Sequence, residues 1–242
     1  MNAEQRWSRL GRWTGASGLV GTVLLFVPII ALSTLGEPAL HAPEREVVEF
    51  FGQVSDASWA QAAAATTVIG SLALAWSLVG VALIVRRAEG DPAWRATIAV
   101  LSVGVFAATM VGNVGWSVAG LHGRELDPGL LHFAYDSGNV SFANVWLALA
   151  SFALACGWVT LETGVLPRWT GWLAVAVAAG FVVARFFWTG SVWFFPYAAF
   201  WVCLLVLFVR LLRTRDSGDA AARSGARTAY TPRRERATPD DG

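Results

Sequence analysis

The chain has 242 residues, 55% of them hydrophobic and only 14% charged, with a net charge of +1. Its apolar residues gather into runs of about 20, the length that crosses the hydrocarbon core of a bilayer, which excludes an ordinary soluble domain. The near-zero net charge makes nucleic acid an unexpected partner, and the absence of any Lys among the 18 basic residues rules out Lys Schiff-base chemistry.

The first 13 residues carry Arg6, Arg9 and Arg12 and form an N-terminal segment ahead of an apolar run at 14–34. That run is long for a signal-peptide core and has no clean small-residue cleavage site, so it reads as an uncleaved first span. Pro28 inside it removes one backbone donor and predicts a kink. In the loop at 35–58, Pro43 suits a helix's first turn, and Glu44 and Glu46 suit its N-terminal dipole. The spacing predicts a short amphipathic helix near 43–53, with Val47, Val48, Phe50 and Phe51 on the membrane or the bundle.

A second span is predicted at 59–85. It carries Thr66, Gly70, Ala73, Ser77 and Gly80, a stripe of small residues that lets helices pack closely in lipid. A third span at 96–120 stacks Thr109, Asn113 and Ser117 on one side. Asp127 and Pro128 read as a helix start, Asp as N-cap and Pro at the first position. A second short outer helix is predicted at 128–137, ended by Ser137–Gly138. The fourth span, 139–161, has a stripe of Asn144, Ala148, Ser151 and Ala155. The fifth and sixth spans are predicted at 169–188 and 192–212. From 213 to 242 the chain turns polar and rich in Gly, Pro, Ala and Arg, the composition of a disordered tail.

The N-terminus, the 86–95 loop, the 162–168 turn and the C-terminal end, counted from Arg210 in the last turn of the sixth span, hold 15 of the 18 Arg. By the positive-inside rule these segments, and so both termini, are cytoplasmic. The fold class is therefore all-α. It is a polytopic six-helix transmembrane bundle at 14–212, multi-pass in a bacterial plasma membrane, with two short outer amphipathic helices.

Several activities have no residues to support them. No His lies within a span, which argues against a haem held between helices. No acid sits at mid-membrane, which argues against a proton relay. Phosphate- and dinucleotide-binding glycine patterns are absent. No cofactor or metal is expected. His41, His122 and His132 share the outer side, but their spacing matches no ligand motif.

What stands out is an outer-leaflet set of polar residues: Asn113, Asn139, Asn144, Arg185 and Tyr197, with His132 and Asp136 just above. Amides and ions at this depth are costly unless paired or wet. They predict either packing contacts between helices or a pocket for a small or lipophilic molecule, with Asp136 and Arg185 as its charged pair. Beyond such a molecule, the expected partners are membrane lipids. An alternative is acid/base catalysis on a lipophilic substrate by the outer carboxylates, Asp136 or Glu44, Glu46 and Glu49.

The stretch FAYDSGNVSFANVWLALASFALACGWVTLETGVLPRWTGWLAVAVAAG resembles the second half of a widespread set of bacterial, especially actinobacterial, integral membrane proteins. The resemblance rests on an Asp-x-Gly-Asn entry to a span (Asp136, Gly138, Asn139) and on a Leu-Pro-Arg-Trp-x-Gly-Trp turn (Leu166 to Trp172). Those proteins have no assigned activity. The resemblance implies six-span topology and no catalytic residues.

Overall fold

The computed structural model describes residues 2–39, 42–111, 114–188 and 191–213, so His41, Asn113 and the predicted tail from 214 onward lie outside the described residues. Among the described residues eight α-helices follow one another: α1 Ala3–Ser33, α2 Glu44–Asp56, α3 Ala60–Glu89, α4 Trp94–Val111, α5 Val114–His122, α6 Pro128–Thr163, α7 Arg168–Phe186 and α8 Phe194–Arg213. A 3₁₀ turn, Ser191–Trp193, leads into α8. There is no strand among the described residues.

Six helical stretches are long and apolar enough to cross a membrane, with α4 and α5 together forming the third, Trp94–His122. Helices are expected here because lipid offers no partner for a free backbone N–H or C=O. α1 begins at Ala3, well before its apolar run. Asn2 Oδ1 accepts from Gln5 N at 2.8 Å and Gln5 Oε1 accepts from Asn2 N at 3.0 Å, closing a capping box. The helix continues through Pro28, which is buried inside it.

The predicted small-residue stripe on α3 faces α1. A Cβ built on Gly70 would stand 2.9 Å from Leu25 N and 3.0 Å from Gly21 O, and one on Gly21 would stand 2.8 Å from Leu74 N. Ser17 and Ser77 share a 2.8 Å hydroxyl contact on the same seam. α6 lies at the centre: α2, α3, α4, α5 and α7 all pack on it and it is the most buried of the six stretches, although Phe133, Leu147 and Trp158 remain exposed. Its predicted stripe meets α4, where Ser102 Oγ donates to Ser151 Oγ at 2.8 Å.

α2 matches the amphipathic reading. Val47, Phe50, Phe51 and Val54 are buried against Leu131, Ala134 and Tyr135 of α6 and Trp116 of α5, while Val48 is only partly covered. This small core caps one end of the bundle.

The second short outer helix does not end where the sequence predicts. α6 runs unbroken from Pro128 to Thr163, so 128–137 is its first part. Asp127 caps it as expected, its Oδ1 accepting from Gly129 N at 2.9 Å. Ser137 bonds back to Ala134 O at 3.1 Å without leaving the helix. A Cβ on Gly138 would stand 2.4 Å from Trp116 Cδ1, so this glycine serves close approach of α5, and not termination.

The two faces of the bundle differ. One carries the N-terminus, the turns at 90–93 and 164–167, and Arg213; here it is called the Arg-rich face. On it Glu89 accepts from Arg95 N (3.1 Å), Arg95 Nε (2.8 Å) and Ala96 N (2.9 Å), and so caps the start of α4. Arg95 also reaches Glu162 on α6 and lies over Trp94 and Trp158 at 5.4 and 5.7 Å. The clamp joins α3, α4 and α6. The opposite face carries α2 and the 123–127 segment, where Arg124 pairs with Asp56.

Candidate functional site

The polar residues predicted to gather in one half of the bundle do so only in part. Arg185, in the last turn of α7, donates from Nε to Asn144 Oδ1 on α6 at 3.0 Å. The contact satisfies a cation and an amide that would otherwise be costly at this depth. It also cross-links the two helices. Next to it stands an aromatic wall. Trp146 stacks on Trp193 at 5.7 Å, while Phe142 meets Trp146, Trp193 and Tyr197 edge-on at 5.5–5.8 Å. Tyr197 therefore belongs to the wall.

Asp136 is elsewhere. It lies eight residues before Asn144, about 12 Å along the helix axis. Its carboxylate is half exposed, and His132 Nε2 on the same helix lies 3.9 Å from it. The expected Asp136–Arg185 pair is thus replaced by His132–Asp136 and Arg185–Asn144. Asn139 is buried, and its Nδ2 has no hydrogen-bond partner among the described residues. One turn earlier, the Tyr135 hydroxyl lies 2.6 Å from Pro38 O and 3.0 Å from Ala39 O, tying the segment after α1 to α6. His122 pairs with Glu125 at 3.1 Å in the loop.

Two cavities stand out, and neither touches the Arg185–Asn144 contact. One is polar, about 200 Å³, between the 35–38 segment and α2, with Glu46, Glu49 and Gln53 on its wall. Both carboxylates are exposed. Glu37 lies in the adjoining segment. Desolvation holds its carboxyl above the usual carboxylate value, although part of its own surface is open.

The other cavity is an apolar groove of about 130 Å³ between α6, α7 and α8, with two valines of α3 at its back. It lies in the half toward the Arg-rich face. Phe152, Val177 and Phe200 line its deep end, and Trp169 and Arg210 the end near that face. Trp169, Val202 and Val206 are exposed, so the groove opens to the outside of the bundle between α7 and α8. Its two hydroxyls are already used: Thr160 donates to Cys156 O at 2.8 Å and Thr170 to Pro167 O at 2.7 Å. An occupant therefore meets no unsatisfied hydroxyl along the walls, and one cation at the end. Cys156 and Cys203, the two Cys of the chain, also line it.

Sequence reasoning points to the opposite half of the bundle and misses this groove. A groove between apolar helices has no polar signature. Arg210 alone looks like any other cation at the end of a span. No protein-family model, curated protein or solved structure matches the chain.

Proposed function

We propose that this chain is a multi-pass protein of the bacterial plasma membrane, its Arg-rich face in the cytoplasm, that binds a lipophilic molecule in the groove between α6, α7 and α8. The supporting observation is the wall chemistry. The groove is apolar along its length, its hydroxyls are internally satisfied, and it is open to the surrounding hydrocarbon. Such a site selects by shape and van der Waals packing, because an occupant drawn from the surrounding hydrocarbon removes no further apolar surface from water. The orientation follows from the distribution of Arg.

An enzyme using the carboxylates of α2 is the weaker reading. Glu46 and Glu49 face an open, polar cavity at the surface, from which water is not excluded.

Photo-crosslinking tests the binding reading. Full-length protein in liposomes is irradiated with a diazirine-bearing fatty acyl probe, and the adducts are mapped by mass spectrometry. Adducts concentrated on residues 152–160, 166–177 and 200–210 are expected. A spread that follows mere exposure, equal on the outer faces of α1 and α4, would refute a dedicated site.

A further inference from the structure

We infer that the occupant is an anionic phospholipid of the leaflet at the Arg-rich face, with one acyl chain in the groove and its phosphate on Arg210. This rests on the groove reading above.

Depth is the first argument. On α8 the lining runs from Arg210 to Phe200, and on α7 from Trp169 to Val177. At 1.5 Å per residue these are about 15 and 12 Å. The hydrocarbon core is about 30 Å thick, so the groove is one leaflet deep. It starts at headgroup level and ends near the bilayer midplane, the depth range of an acyl chain in that leaflet.

Charge complementarity is the second argument. Among the described residues Arg210 is the one ionic side chain on the groove wall, and it sits at the headgroup end. It is exposed, and no described carboxylate pairs with it. On the same face Arg87 holds Glu4 and Arg95 holds Glu89 and Glu162, whereas Arg86, Arg168 and Arg213 are exposed like Arg210; what sets Arg210 apart is its place on the groove wall. A guanidinium left open at the end of an apolar groove is matched by a group that is anionic and carries a chain. The planar fork donates two parallel hydrogen bonds to a phosphate. Trp169 stands at the same end, where an indole prefers the headgroup region.

Paired photo-lipids test this. Full-length protein is placed in liposomes containing diazirine-labelled phosphatidylglycerol or phosphatidylcholine with identical chains, and groove adducts are counted. Phosphatidylglycerol is expected to exceed phosphatidylcholine by about fivefold, the ratio for one Arg at an anionic surface. Arg210→Gln should bring the ratio to about one while groove adducts persist, and Arg210→Lys should keep a preference. Equal labelling by the two lipids in the wild type overturns the headgroup assignment and leaves the groove reading standing. Complete displacement of both by unlabelled oleic acid at equal mole fraction reassigns the site to a free carboxylate and also overturns it. Adducts that do not concentrate in the groove with either lipid mean surrounding bulk lipid only, and then both readings fail.

Discussion

The α1–α3 crossing makes the sharpest quantitative prediction. Gly70→Ala places a methyl 2.9 Å from Leu25 N and 3.0 Å from Gly21 O, both backbone atoms that no rotamer change can move. Ordinary carbon contacts begin near 3.4 Å, so α1 and α3 must separate by about half an ångström along this seam. A gap of that size forfeits about a quarter of the dispersion well at each neighbouring contact. Together with the Ser17–Ser77 contact that would stretch, the expected cost is about 1–3 kcal/mol. Gly21→Ala meets Leu74 N at 2.8 Å and should cost a similar amount. The double variant should cost less than the sum, because the first methyl has already parted the helices. Gly104→Ala is the internal control. It lies mid-helix on α4 with nothing within 4 Å of the added Cβ, so it should be neutral or stabilising, by up to about 1 kcal/mol. Unfolding in mixed micelles with rising SDS, followed by Trp fluorescence, reads all four. If Gly70→Ala costs no more than Gly104→Ala, the close crossing is not a stabilising feature and the reasoning fails.

Further outcomes are expected at three places. Arg95→Gln should destabilise by about 1.5–3 kcal/mol in the same titration, because it removes a charge-assisted bond to a nearly fully covered Glu89 carboxylate. Glu162→Gln should cost under about 1 kcal/mol, since Glu162 is more than half exposed. Asn144→Ala should cost about 0.6–1.7 kcal/mol, the range for polar contacts between helices in membranes. Asp136→Asn should stay within about 0.5 kcal/mol, and an equal loss at both sites would contradict the separation of Asp136 from Arg185. Tyr135→Phe should cost about 1 kcal/mol and speed backbone hydrogen exchange in the 34–39 segment, whose carbonyls at Pro38 and Ala39 lose their partner.

Legibility followed the physics of each element. The buried face of α2 was readable in part: Val47, Phe50 and Phe51 recur at helical spacing beside polar neighbours, whereas Val48 is only partly covered and the buried Val54 lies beyond the predicted helix. The α3 stripe was readable because small residues have one principal use in a lipid-embedded helix. Gly138 was misread because a glycine after a serine looks like a stop in one dimension, whereas Trp116 needs the space it leaves. The charged pair was misassigned because side and depth alone cannot choose between two partners for Arg185, and the relative rotation of α6 and α7 brings Asn144 to it.

By itself, then, the sequence determined a membrane bundle, the approximate limits of its spans and the side its Arg residues favour. These depend on hydrophobic length and on charge placement, which are additive along the chain. Only the tertiary structure decided which polar groups meet, why Gly138 must be glycine, and where a chain-shaped groove opens. Those depend on helix rotation and on the shape of the space left between helices. The walls of the groove are built from the same apolar residues as any other lipid-facing surface, so nothing in their order marks it.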